Sequence, residues 1–145
     1  MSAYKSFKTD ARHETEGVWF EYDAFRYRLA RAGGANKKFA KTMERLSRPH
    51  RRKIERNVME EGVAEALLRR VYIESVILAW EVRDTNGDWT PGLETIDGQI
   101  IPGSPSAEDL DRLLEGIPDL FQQIQDDSND VRVFLENVAE QDAGN

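Results

Sequence analysis

Positions 1–16 carry apolar residues only singly among polar and mixed-charge neighbours, which predicts a flexible or extended segment. From Gly17 the pattern changes. Val18-Trp19-Phe20-Glu21-Tyr22 and Phe25-Arg26-Tyr27-Arg28-Leu29 are rich in β-branched and aromatic residues and flank Asp23-Ala24, so a short β-hairpin is expected. In the second run Phe25, Tyr27 and Leu29 alternate with Arg26 and Arg28, giving one apolar face. A lone hairpin is marginal in water, so helices should cover that face. Gly33-Gly34 interrupts the chain. Asn36 is placed to cap a helix running to about Ser47, with Phe39, Met43 and Leu46 at helical spacing. Pro49 ends that helix and opens a short, charged and exposed one, Pro49 to Arg56, whose single apolar residue is Ile54. Glu60-Glu61 then start a longer helix, roughly Glu61 to Val82. Its apolar positions, from Leu67 and Leu68 to Ala79 and Trp80, cover more than one stripe and predict a central helix surrounded by others.

Asp84 to Pro105 holds four glycines and three prolines with little periodicity, and reads as an irregular loop over 84–105, either a boundary or a functional loop. Ser106 with Glu108 and Asp109 starts a helix through Leu110, Leu113 and Leu114 that Gly116 stops. Pro118 opens the next, carrying Leu120, Phe121 and Ile124. After a turn at 126–129, Val131, Phe134, Leu135 and Val138 mark a last amphipathic helix, and the tail from Glu140 should fray. The expected fold is mainly α: one small helical domain over 1–145 with a short N-terminal β-hairpin and a C-terminal group of two or three short helices. Residues 17–83 form its hairpin and basic helical part, and residues 106–140 its acidic helical part.

Charge sharpens this division. Up to Arg83 there are 18 Lys+Arg against 12 Asp+Glu, a net of +6; from Asp84 onward there are 2 against 15, a net of -13. The two parts could neutralise each other inside one monomer, or the basic part of one copy could meet the acidic part of the next, head to tail. The chain has no cysteine and only two histidines, His13 and His50, which excludes disulfides and thiolate chemistry and disfavours a histidine metal site or triad. The start carries no apolar run of signal-peptide type, and Val71 to Val82, broken by Glu74 and Glu81, is too short and too charged for a membrane span.

Candidate chemistry is sparse. Asp84-Thr85-Asn86-Gly87-Asp88 begins like a calcium loop, but Trp89 stands where the sharp turn needs glycine and Thr95 where a bidentate glutamate is needed, so it reads as a turn. The pairs Asp109 with Asp111 and Asp126 with Asp127 lie at helix starts and turns, where acids serve the helix dipole or face water. No catalytic residue, metal ligand or cofactor site is expected, and the chain is not read as an enzyme. Nine basic residues lie between Lys37 and Arg56 against Glu44 and Glu55. They could face a protein partner or the acidic C-terminal part, stay solvated, or bind phosphates; the last gives the alternative function, a small nucleic-acid-binding regulatory protein using 37–56, disfavoured because only Phe39 lies among them for base stacking. Trp89 anchors either its loop or a partner.

Gly17-Val18-Trp19-Phe20, Leu29-Ala30-Arg31-Ala32-Gly33 with Asn36 and Phe39, Arg48-Pro49-His50-Arg51-Arg52, and Tyr72 to Trp80-Glu81 resemble, in order and spacing, the tail assembly chaperones of long-tailed phages and prophages. Ser104-Pro105 leading to Leu113-Leu114, and the later Phe134, are similar to the C-terminal part of that family. The resemblance implies a non-enzymatic protein of the host cytoplasm, not carried into the mature virion. Its partner would be the tape measure protein, kept soluble during tail-tube assembly. A frameshifted longer form would link it indirectly to the tail tube protein, and this chain would be the short form. Neither membrane nor nucleic acid is an expected partner. The residues this reading assigns to partner binding or head-to-tail self-association are Arg48, Arg51, Arg52, Lys53, Arg56, Trp89, Leu113, Leu114, Phe121 and Phe134.

Overall fold

The computed structural model describes residues 3–135. Strands β1 (Val18–Glu21) and β2 (Phe25–Leu29) form the expected hairpin, with Trp19 opposite Arg28 and Phe20 opposite Tyr27. The hairpin is not the whole sheet. Strands β3 (Ile77–Arg83), β4 (Trp89–Glu94) and β5 (Ile100–Pro102) continue it into a five-stranded antiparallel sheet in the order β1-β2-β3-β4-β5. The expected mainly α fold is therefore corrected to a mixed one, in which helices pack on a sheet that runs from Val18 to Pro102.

Two local readings account for the correction. The long helix ends early: α4 spans Glu61–Ser75, and the expected continuation to Val82 is strand β3. At the junction the Ser75 hydroxyl turns back to donate to the Val71 carbonyl at 2.6 Å, and Val76 is already off the regular helix at φ -119. Beyond it Trp80 and Val82 are buried while Arg83 is exposed, a period of two that replaces the helical period. The stretch 84–105 is the second case. Its Asp84–Asp88 segment turns the chain from β3 to β4, the Asp84 carboxylate accepting from the amides of Asn86 (2.8 Å) and Asp88 (2.9 Å). Thr95–Gln99 does the same from β4 to β5. Gly87 and Gly98 take the positive φ values of 82° and 85° that these turns need.

Helix α2 (Lys37–Ser47) has the expected limits. Asn36 does not cap it with its side chain; buried, its Nδ2 donates to the carbonyls of Arg31 (2.8 Å) and Ser75 (2.9 Å), tying the exit of the hairpin to the end of α4. After a 3-10 turn, Arg48–His50, α3 (Arg51–Glu55) is short and exposed as anticipated. α5 (Ala107–Gly116) starts at Ser106, whose hydroxyl accepts from the Asp109 amide at 3.1 Å, and α6 (Pro118–Asn129) follows directly. Val131–Phe134 is a single 3-10 turn rather than a full amphipathic helix; Val138 and the tail lie outside the described residues. The N-terminal segment is also more ordered than its composition predicts. α1 (Ala11–Glu16) is capped by the Asp10 carboxylate, and Asp10 donates its amide to the Phe134 carbonyl at 3.0 Å.

One core joins sheet and helices: Tyr27, Leu29, Trp80 and Leu93 from the strands meet Tyr72, Val76, Leu110, Leu114, Phe121 and Ile124 from α4, α5 and α6. Its rings interlock, Tyr72 standing edge-on to both Phe39 and Phe121 and Phe25 stacking on Trp80. Fully burying a side chain such as Leu29 contributes roughly 1.5–3 kcal/mol.

Candidate functional site

The second half of the basic run forms an exposed arm. Every residue from 51 to 58 is exposed, and Arg48, Arg51, Arg52, Lys53 and Arg56 all point their charge to solvent. Arg48 pairs with Glu44 one turn away (3.3 Å) and Arg45 with Glu74 of α4 (3.0 Å). The other seven, Lys37, Lys38, Lys41, Arg51, Arg52, Lys53 and Arg56, have no ion-pair partner among the described residues. Nor does any ion pair there join 37–56 to the acidic part after Asp84. The two charged parts touch through Arg69 of α4, which reaches Asp111 (2.8 Å) and Glu115 (3.7 Å) of α5. Phe39, the aromatic in the basic run, is half-buried and packs on Tyr72 at 5.6 Å.

Beside the arm runs an open groove of about 510 Å³ between α2 with its following turn and α4. Leu46, Pro49, Val63, Ala66 and Leu67 make it apolar, and Arg45, His50 and Arg70 give it a basic rim. Val63 is 39% exposed. Two helices crossing with apolar side chains left uncovered between them form the kind of seat into which a third amphipathic helix fits.

A second recess of about 360 Å³ lies under the β4–β5 hairpin, where the sheet meets the α5–α6 corner. Phe25, Trp80, Val82, Leu113, Ile117 and Leu120 line it, and Ile96 and Ile100, each 51% exposed, stand at its mouth. Ile96 lies close over the end of α5, where a Cβ on Gly116 would be 2.0 Å from its Cδ1, so a larger residue there would have to push the Ile96 side chain aside. The charged residues in its lining are two of opposite sign, Glu94 and Arg83. Neither the groove nor the recess stands out from the residue pattern, because each is made by elements distant in sequence.

The remaining sequence-assigned contact residues are placed differently. Trp89 belongs to β4, where the Arg83 guanidinium lies 3.9 Å from its ring centre and that of Arg26 at 5.0 Å; Arg26 also covers Trp19 at 4.0 Å. This ladder braces the sheet face opposite the core. Leu114 and Phe121 are core residues, Leu113 shows only an edge to the recess, and Phe134 is fully buried beneath the N-terminal segment. Their apolar surface is consumed by the fold, because amphipathic spacing marks a buried face without saying whether the chain itself or a partner buries it.

No protein-family model, no curated protein and no solved structure matches the chain.

Two titratable clusters complete the picture. The hydroxyls of Tyr22 (2.7 Å) and Tyr27 (2.6 Å) both donate to one carboxylate oxygen of Asp127 and lie 3.1 Å from each other. Burial and the Asp127 charge push the Tyr22 phenol up to about 12 and that of Tyr27 far higher. With both protons committed to one acceptor, the cluster latches the hairpin to α6. Glu14, 2% exposed, accepts from Arg31 Nη1 at 2.8 Å and from the Ala35 amide at 2.5 Å. Burial raises its pKa, but hydrogen bonds from Thr9, Ala35 and Arg31 outweigh that and hold it below the ordinary value. Asp111 is spent on Arg69 and Asp84 on its turn. Among the described residues no group of His, Asp and Glu is disposed to hold a metal ion, and no helix is long and apolar enough to cross a membrane.

Proposed function

We propose that this protein is a non-catalytic tail assembly chaperone that seats an amphipathic helix of a tape measure protein in the groove between α2 and α4. The observation that carries the reading is the groove itself: an apolar seat of about 510 Å³, open along two helices and left unfilled by the chain. The residue-level resemblance to tail assembly chaperones supplies the partner's identity. Two of its motifs fall on residues that shape this part of the molecule. Asn36 locks the start of α2 to the end of α4, and Arg48-Pro49-His50 turns the chain at the edge of the groove.

A tape measure protein is a long helix whose apolar stripes aggregate when exposed, so a chaperone must cover them and still release them. A shallow groove suits that task. It buries a short stretch of helix per copy, giving modest affinity at each site and high occupancy only along the whole rod.

The test is co-expression with the tape measure protein encoded in the same genome. Wild-type protein keeps it in the soluble fraction and co-purifies with it. The variant Val63→Asp/Ala66→Asp places two charges on the groove floor at positions near the surface, where the fold tolerates them, and loses the complex. Equal solubility of the partner with and without wild-type chaperone, or an undiminished complex with the variant, refutes the reading.

A further inference from the structure

The charges around the α2–α4 groove are all of one sign. Val63, Ala66, Leu67 and Arg70 recur at helical spacing on one face of α4, so Arg70 stands a turn beyond an apolar floor. The end of α2 and the turn after it supply the other wall, Leu46 and Pro49 together with Arg45 and His50. Every ionisable side chain in the lining is therefore basic.

The chain neutralises this rim only in part. Arg45 (3.0 Å) and Arg70 (3.3 Å) share the one carboxylate of Glu74, so two guanidinium groups have a single counter-charge. Glu74 is half-buried and lies outside the lining. Helical spacing places the other acids of α4, Glu61 and Glu65, on the face away from the groove. Glu44 of α2 is paired with Arg48. Directly after His50 come Arg51, Arg52 and Lys53, exposed and without an ion pair among the described residues.

We infer that this groove selects an amphipathic helix whose apolar stripe is edged by Glu or Asp. Apolar side chains of the helix enter between Leu46 and Leu67, and the edging carboxylates meet the guanidinium groups of Arg45 and Arg70. The inference rests on the groove being a helix seat, as proposed above, and adds the charge class of the helix it accepts. Apolar burial supplies the common part of the affinity. The rim supplies the discrimination, because a helix edged by Lys or Arg would bring like charges together at both walls.

Three fluorescein-labelled synthetic peptides test it, matched in helicity and sharing one leucine stripe, with Glu, Gln or Lys at the flanking positions. In fluorescence anisotropy at low salt the Glu-edged peptide binds wild-type protein at least about tenfold more tightly than the Lys-edged one, with the Gln-edged peptide between them. Added salt closes the gap. Arg45→Gln/Arg70→Gln, at two exposed positions, narrows it as well. Glu74→Gln removes the shared counter-charge and tightens binding of the Glu-edged peptide, a gain that a disturbed fold would not produce. Failure of all three peptides to bind overturns both this inference and the helix seat. Equal binding of all three that is lost in Val63→Asp/Ala66→Asp leaves the seat standing and overturns the charge selection. A preference for the Lys-edged peptide, or a Glu74→Gln variant without the gain, overturns the selection too. So does tight binding of a DNA duplex by a chain that shows no preference among the peptides, which assigns its cations to phosphates.

Discussion

Replacing Glu14 by Gln tests the most deeply buried charge among the described residues. The carboxylate is 2% exposed and uses one oxygen for Arg31 and the other for the Ala35 amide. An amide keeps one acceptor and presents a donor where the second was, so one partner loses its bond and the donor faces another donor. A hydrogen bond to a charged group contributes about 1.5–3 kcal/mol, and breaking a fully buried pair costs about 3–5 kcal/mol. The Arg31 side chain is 25% exposed, and water relieves part of its loss. The expected cost at pH 7 is about 2–3 kcal/mol, seen as a fall in Tm of roughly 5–10 °C for a domain of this size. The assay is urea unfolding of both proteins across the acid range. The Glu14 pKa is lowered in the folded state, so the stability it contributes is complete above the unfolded carboxyl value of about 4.3 and is lost as pH falls through the folded value. The gap between wild type and Glu14→Gln must therefore narrow in acid. A gap below about 0.5 kcal/mol at pH 7, or one that stays constant down to strongly acidic pH, refutes the assignment.

Further expectations follow from single contacts. Asn36→Ala strands the carbonyls of Arg31 and Ser75 in a buried site and should cost about 2–3 kcal/mol by denaturant titration, while a capping residue without that clamp would cost about 1 kcal/mol. Gly17→Ala meets both a φ of 90° and a Cβ 2.8 Å from Leu78 Cδ1, so its melting temperature should fall clearly; an unchanged value would show that the turn relaxes freely. In alkaline titration followed by phenolate absorbance, Tyr22 should ionise near pH 12 and Tyr27 only once the protein unfolds. Both pKa values are raised on folding, so stability should decline as pH rises above about 10, and Asp127→Asn should bring the Tyr22 step down.

The N-terminal hairpin, the limits of α2 and the starts of α5 and α6 were legible in the sequence because local chemistry decides them. Alternation of Phe25, Tyr27 and Leu29 with two arginines allows only one apolar face, and Ser106 and Pro118 satisfy or dispense with amides at helix starts. The rest of the sheet was encoded but easily misread. Asn86-Gly87 and Asp97-Gly98 are strong hairpin signals, and each sits between strand residues, yet the surrounding glycines and prolines read as loop. Val76 to Arg83 was absorbed into the preceding helix because a short apolar run fits both periods, and pairing with Phe25 to Leu29, some fifty positions earlier, settles it as strand.

What the sequence determined by itself is the chain's economy: no cysteine chemistry, a basic first part, an acidic second, and apolar positions enough for one core. Which of those apolar positions the core consumes was left to the tertiary structure. Leu113, Leu114, Phe121 and Phe134 read locally as surfaces a partner could cover, and only the folded chain shows that all four turn inward. Burial belongs to the arrangement of distant segments, which the local pattern of any one segment does not contain.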